Sequence, residues 1–468
     1  MRPRMARFTL WQALLAIIIS ILAAIFFATA AIAGAEGKLG PLGYAAHAIA
    51  EAPVVARRVF LDLAKKRNAH LARLQRFGGE AGLHIAPGGA PSGGALLISR
   101  YDGDRKEGIV EYLDFDNEGA KHVWRTDIDS IHKRSNMPRS VVNLRRDFNR
   151  SRYMYTHPLP SPDGSLIFQG MGSPLIKIDV CSRVQWVIDG AFHHSIERGP
   201  DGSFWTAQRL IPSDLPFVDD RFMDDAIVNI SAEGEILFRK SVARMLLDSG
   251  LKHIVYSHNR YDNDPIHLND IQPVPSDGPY WKKGDVFLSL RTSSVLLLYR
   301  PSTNEVVWSK EGPWLMQHDV DILSDHEIGV YSNNTVASPR GPKTIRPNEI
   351  MIYDFAADET RSPYKAAFKK FKVKTETSGL FRKFPDGSIM AEEHDYGRIV
   401  SFDATGALRW RYVNRAAKDG RVFQLGWSRF IDADDAEALK AAIEKADCGA
   451  RRATAERRDQ ASAPRQDG

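Results

Sequence analysis

Cysteine is nearly missing from this chain: two occur in 468 residues, Cys181 and Cys448. Neither belongs to a CxxC pair, which excludes the common structural zinc motifs. The simplest expectation leaves both buried and unpaired; the alternative is a bridge from the C-terminal tail back to an early repeat. A basic surface is lacking where a nucleic-acid ligand would need one. The formal charge is +5, yet residues 1–80 alone carry 11 Lys and Arg against 4 Asp and Glu, so the remainder of the chain sums to −2. That basic excess flanks an apolar run, so anionic headgroups are its fitting partner and no nucleic acid is expected. Asp262, Asp264 and Asp270 lack the alternating ligands and glycine of an EF-hand calcium loop.

Long apolar runs are scarce too, and the one at residues 8–33 is interrupted only by Thr9, Gln12, Ser20 and Thr29. At about 1.5 Å per residue it reaches across a hydrocarbon core of roughly 30 Å. It exceeds the roughly 7–15 apolar residues of a secretory signal, so an uncleaved signal anchor is expected, although Ala28, Ala30 and Ala33 offer small residues of the cleavage-site kind. Arg2, Arg4 and Arg7 keep the N-terminus inside and send the rest out. In a bacterium this describes a single-pass inner-membrane protein with a periplasmic domain. Residues 44–77 carry Val55, Val59, Leu63, Leu71 and Leu74 at helical spacing and read as a basic helical stalk, interrupted at Pro53. The Gly/Pro cluster at 87–94 then marks a boundary. The expected divisions are 1–34 anchor, 35–90 stalk, 91–430 β domain, and 431–468 a short helix with a disordered tail.

After that boundary one pattern recurs: a lead-in strand, a turn rich in Pro, Asp and Gly, two apolar strands, and a strand closing on an aromatic residue. Units begin at His157 ("HPLPSPDGSLIFQG"), His193 ("HHSIERGPDGSFWTAQR"), His267 ("HLNDIQPV"), Gln317 ("QHDVDILSDHEIGVYSNN") and Ser378 ("SGLFRKFPDGSIMAEEHDYGRIV"). An earlier unit, "GALLISRYDGDRKEGIVEYLDF", has no clear lead-in strand. Trp124, Trp186, Trp308 and Trp410 close their units, with Phe238 in the third. Six such units predict an all-β fold, a six-bladed β-propeller preceded by the transmembrane helix and stalk, with each closing aromatic packed between blades. Residues 432–446 predict one helix, with Leu439, Ala442 and Ile443 on a face and Asp435 helping to cap its start. The Arg-rich tail beyond Gly449 has a disordered composition.

In a propeller the lead-in segments line one mouth of the central channel, so His157, His194, His267 and His318 are expected to converge, joined by Arg291. Neutral imidazoles suit transition metals, but an arginine among them disfavours a cation. The expectation is therefore no metal: His and Arg clamp an oxyanion while one neutral imidazole attacks or relays a proton. His193 beside His194 leaves a choice, because strand neighbours face opposite sides.

"IHLNDIQPV", then "DVFLSLRTSSVLLLYRPSTNEVVWSKEGPW", then "QHDVDILSDHEIGVYSNN" resembles the bacterial arylsulfate sulfotransferase family, over residues 95–415 and most closely over 267–334. The resemblance implies transfer of a sulfuryl group from a phenolic sulfate ester to a phenolic acceptor, in ping-pong fashion and without a phosphoadenosine cofactor. It implies His318 as the nucleophile that becomes sulfohistidine, with His194, His267 and Arg291 holding the sulfuryl oxygens and Asn269 as an auxiliary donor; Asn269, His193 and Tyr396 are the expected substrate-binding set. His267 is a candidate to protonate the leaving phenolate, and Asp319 to orient His318. His394 and Arg398 join Tyr396 as a candidate polar wall, and Trp281 and Trp314 are candidates to flank an aromatic substrate. Well-known members have a β-rich dimerisation domain and a disulfide loop near the site; neither is visible here, so a homodimer stays open. Two rivals remain: a non-catalytic propeller scaffold or binding protein of the cell envelope, since fold does not fix activity, and a propeller lyase or hydrolase using the same histidines.

Overall fold

The computed structural model describes residues 9–35, 38–65, 70–91, 93–115, 122–136, 148–257, 261–338 and 341–448. Two units result, Met1–Ala69 and His70–Gly468. In the first, helix Leu10–Ala35 packs on helix Gly40–Lys65 through Ala30, Ala31 and Ala46. Gly34 and Gly43 approach so closely that a Cβ on Gly34 would strike the Gly43 carbonyl. Among the described residues, Leu10–Gly34 is the one stretch long and apolar enough to cross a membrane; Arg2, Arg4 and Arg7 lie outside the described residues. Two stalk expectations are corrected. Pro53 lies inside the second helix, which is continuous from Gly40 to Lys65, so the expected interruption there is not found. The described helix runs to Lys65, residues 66–69 lie outside the described residues, and Leu71 forms a β-bridge with Phe423 rather than continuing a helix.

The second unit is mostly β, a propeller-like set of antiparallel meanders. Strands Ala95–Asp102, Glu107–Asp114 and His122–Trp124 form one sheet, and Leu268–Pro273, Val286–Leu290, Val295–Arg300 and Glu305–Glu311 another. His318–Ile322, Glu327–Ser332, Glu349–Asp354 and Glu359–Arg361 form the next, followed by Leu380–Lys383, Ile389–Glu393, Arg398–Phe402 and Leu408–Val413. Strands within the sheets are buried on both faces, as in Glu107–Asp114 and Asp224–Ile230, whereas the outer strand Glu305–Glu311 alternates. Continuous apolar runs and period-2 alternation are the sequence marks of these two positions.

Six separate four-stranded blades are not found, and this corrects the expected count. Val184–Arg198 is one continuous strand of 15 residues that closes one sequence unit and opens the next, so both units share a seven-stranded sheet running from Thr156–Pro160 to Ile236–Ser241. Two further strands come from outside the repeats. Arg429–Ile431 pairs with Ala95–Leu97 and supplies the lead-in strand the first unit lacked. Gly82–Ile85 pairs with Val413–Trp410 at the outer edge of the last sheet, so a stretch read as linker is sheet.

The closing aromatics bridge successive sheets. Trp124 is fully buried among Leu166, Phe168 and Ile176 and donates Nε1–H to Gly164 O at 3.1 Å. Trp410 packs on Leu96 and Ile98, and Trp308 against Val320 and Tyr353. Nearer the centre, successive lead-in strands are tied by backbone amides donated to side chains of the one before: Ile271 N–H to Ser195 Oγ at 3.1 Å, Val320 N–H to Asp270 Oδ2 at 2.7 Å, and Phe381 N–H to Asp319 Oδ2 at 2.5 Å.

Cys181 and Cys448 form a disulfide, with Cα atoms 5.3 Å apart across 267 residues, which corrects the expectation that both are unpaired. Two cysteines distant in sequence give no spacing signal; the docking of helix Ala433–Lys445 brings them together. Its Ala436 and Leu439 bury against the first two sheets. Asp432 occupies its N-cap position without a side-chain hydrogen bond, so the capping role expected of Asp435 is not observed. The tail beyond Gly449 lies outside the described residues. A crosslink closing so long a loop contributes about 2–4 kcal/mol. Cys448→Ser is therefore expected to lower Tm by several degrees, as reduction of the wild type does; calorimetry showing coincident transitions would sink this.

Candidate active site

The lead-in strands are not regular where they begin. Register shifts interrupt the pairing between His193 and Ile196, Leu268 and Asp270, and His318 and Val320. His194, His267 and Asp319 take positive φ of 62°, 51° and 53°, uncommon for residues with a Cβ. Such β-bulges break the alternation of side chains and re-aim them. The one-residue choice between His193 and His194 thereby dissolves, since both rings belong to one cluster with their Nδ1 atoms 2.8 Å apart.

The structure brings three of the four predicted lead-in histidines together. The His194 ring centroid lies 5.2 Å from that of His267 and 6.4 Å from that of His318. Burial, then the rings of His193, His267 and His318, hold His194 well below the ordinary imidazole pKa. Burial, then the Arg291 guanidinium, do the same to His318. Both are therefore neutral near neutral pH. His318 Nδ1 sits 2.7 Å from Asn333 Oδ1, and its Nε2 accepts the Ser378 amide hydrogen at 3.1 Å. His267 Nδ1 contacts Asp264 Oδ2 at 2.5 Å, and its side chain is a quarter exposed. Behind His193, Asp225 lies 3.2 Å from Nε2. Burial opposes ionisation of Asp225, but His193 and Arg209 outweigh it and hold the carboxyl below its usual range.

Arg291 stands at the turn following strand Val286–Leu290, its backbone N–H on His267 O at 3.1 Å. Burial lowers its pKa, and its guanidinium makes no hydrogen bond or ion pair with a described residue. A half-buried cation without a hydrogen bond or ion pair to a described residue, beside the neutral His194 and His318, has the chemistry to receive an oxyanion.

Other predicted residues do different work. Asn269 is fully buried and donates Nδ2–H to Gln317 O at 2.7 Å, bracing the backbone just before His318, while its Oδ1 has no partner. Asp319 turns away from His318 and accepts the Phe381 amide, so it does not orient the ring. Tyr396 is buried with its hydroxyl donated to Glu376 at 2.9 Å, and Arg398 is paired with Glu393; neither hydrogen-bonds to a cluster histidine. Trp281 and Trp314 are core residues. His157 receives the Ile196 amide at 3.4 Å and lines a cavity of about 470 Å³ with Glu197, Asp319 and Asp321, not the histidine cluster.

The aromatic wall is instead Trp427, whose ring centroid lies 6.0 Å from both His194 and His318. Neither it nor Asn333 and Asp225 was singled out from sequence, and Asp264 was weighed only as a calcium ligand. Asn333 carried a usable signal, since "YSNN" ends the strand paired with His318. Trp427 lies outside the repeats and carried none.

Fold and site together define a propeller-like protein whose lead-in segments gather the rings of His193, His194, His267 and His318, two of them, His194 and His318, held neutral, with the Arg291 charge acting on His318. Residues 162–415, more than half of the chain, match the family model for arylsulfotransferase (ASST). The chain belongs to that family, a grouping that indicates a sulfotransferase-type enzyme. No curated protein matches the chain. Similar solved structures include a protein of unknown function from Bacteroides caccae, 10% identical with TM-score 0.45, covering 73% of this chain and 99% of its own. The Myceliophteria thermophila Cps50 (Swd1) beta-propeller domain is 12% identical with TM-score 0.40, covering 74% and 99% respectively. Virginiamycin B lyase from Staphylococcus aureus is 11% identical with TM-score 0.33, covering 59% and 84%.

Proposed function

We propose that the protein transfers a sulfuryl group from a phenolic sulfate ester to a phenolic acceptor through a sulfohistidine at His318. One observation carries this reading: the buried His318 ring, held between Asn333 and the Ser378 amide, is kept neutral first by burial and then by Arg291, a cation with no hydrogen bond or ion pair to a described residue. His318 Nε2 attacks sulfur, the N–S bond forms as the S–O(aryl) bond breaks, and the bonding pair leaves with the aryl oxygen. His267 Nε2 gives that oxygen a proton, with Asp264 bracing Nδ1. In the second half-reaction the acceptor phenol returns the proton to His267, its oxygen bonds to sulfur, and the pair in the S–N bond goes back to His318. Arg291 and His194 meet the negative charge spread over the sulfuryl oxygens, the donor arrangement that lowers such barriers most. The chemistry calls for no nucleotide cofactor and no metal.

The location proposed is the bacterial inner membrane, with Leu10–Gly34 as anchor and the β unit in the periplasm. A disulfide persists in that oxidising compartment. The test is acceptor-dependent phenolate release from a chromogenic aryl sulfate. A folded full-length chain that releases none with any phenolic acceptor leaves a scaffold or a different ester chemistry.

The pH dependence has a definite sign. His318 attacks only when neutral, and a pKa depressed below 6.5 keeps it neutral at all higher pH. The kcat/KM for the donor is expected to stay level as pH falls through 6.5 and to drop only in more acidic buffer. An acid limb at or above the ordinary imidazole pKa of about 6.5 contradicts it.

A further inference from the structure

The structure assigns to Asn333 the task of fixing which nitrogen of His318 is nucleophilic; this rests on the sulfuryl-transfer reading, which names His318 but not its tautomer. The assignment begins with the amide itself. Asn333 Nδ2 donates to Ser378 O at 2.7 Å and to Thr375 O at 3.2 Å. Both of its hydrogens are thereby spoken for, so the atom facing His318 is Oδ1, an acceptor with no proton to give. His318 Nδ1, 2.7 Å away, must carry the ring hydrogen. The lone pair then falls on Nε2, and the Ser378 amide donating to Nε2 at 3.1 Å agrees with that tautomer. Asn333 is fully buried, and turning its carboxamide over would set Oδ1 against the Ser378 and Thr375 carbonyl oxygens.

Two consequences follow for the reaction. The ring presents Nε2 to sulfur before substrate arrives, with no proton to move first. When the N–S bond forms, Nε2 becomes quaternised and the ring turns cationic while keeping its Nδ1–H. That hydrogen bond to Asn333 Oδ1 strengthens as the charge appears, so Asn333 favours the intermediate over the resting ring. The Ser378 amide must part from the Nε2 lone pair for attack. Ser378 has a positive φ of 57°, and its carbonyl and the Thr375 carbonyl are tied to the same asparagine, which therefore positions both the ring and the segment capping it.

The experiment uses the full-length protein in detergent. Asn333→Ala is expected to lower kcat by about 10²-fold or more, with the donor KM changed less than about threefold. Asn333→Asp keeps the acceptor oxygen and adds a charge beside Nδ1–H, which raises the His318 pKa. Its kcat/KM profile is expected to show the acid limb moved to higher pH by about one unit or more, with part of kcat restored above that limb. A purely architectural role would lower both variants alike and leave the limb in place. Nitrogen NMR of histidine-labelled protein reads the tautomer without any turnover: protonated Nδ1 and bare Nε2 in the wild type, and a changed ratio in Asn333→Ala. An unmoved acid limb, an unaltered kcat in Asn333→Ala, or a wild-type ring protonated at Nε2 each overturns the assignment. If the wild type turns over no aryl sulfate, the functional reading fails by itself and the NMR result alone judges the tautomer.

Discussion

Turnover of an aryl sulfate is expected to fall about 10⁴-fold or more in His318→Ala, because removing the nucleophile of a covalent mechanism removes both half-reactions at once. What remains is the charge of Arg291 and the neutral ring of His194, which position a donor without offering it an attacking atom. The loss belongs in kcat, since His318 is 1% exposed and contributes little contact area to a bound ester. Label from a radiosulfate donor should stay with wild-type protein when acceptor is withheld and be released by adding phenol. His318→Ala should take up none. Label retained on that variant places the intermediate elsewhere, and undiminished turnover removes the mechanism altogether.

The second large effect is expected at Arg291. Losing one preorganised donor to a developing oxyanion typically costs about 10²–10³-fold in kcat, and Arg291→Ala also loses the charge. A second signature separates it from simple damage to the fold. Arg291 is the leading electrostatic cause holding the His318 pKa down, after burial. Its removal is therefore expected to raise that pKa and shift the acid limb of kcat/KM upward, the same direction as Asn333→Asp but for the opposite reason, a cation withdrawn rather than an anion supplied. Lysine at 291 should retain the low limb and recover only part of the rate, because it cannot present the two parallel N–H bonds of a guanidinium. A pH profile unchanged in Arg291→Ala means that the guanidinium does not act on His318.

How much of this was readable beforehand depends on the range of each interaction. The meanders were, because antiparallel neighbours joined by Asp/Gly turns write their period into a few dozen consecutive residues. The periodicity pointed to a convergence of His157, His194, His267 and His318, of which the last three meet and His157 does not. Pairing between distant segments was not: Arg429–Ile431 on Ala95–Leu97 is three residues long, and nothing in "RFI" announces its partner. Bulges also escaped, since a change of one residue in register leaves the apolar pattern nearly intact while deciding that His193 and His194 share one cluster and that Asp319 turns to Phe381. Tyr396 misled because its hydroxyl is matched by Glu376, twenty residues earlier on a loop. Sequence fixes types of side chain at the mouth more readily than the partners that spend their hydrogen bonds.

Cys448 and the Arg429–Ile431 strand both lie within the last forty residues of the chain, yet they tie in the second and complete the first sequence unit. A polypeptide made from its N-terminus would have its first sheet lacking an edge partner until nearly all of the chain was available. Until then that sheet edge stays open to other chains, and a chain cut short after the last repeat would keep the edge of Ala95–Leu97 unpaired.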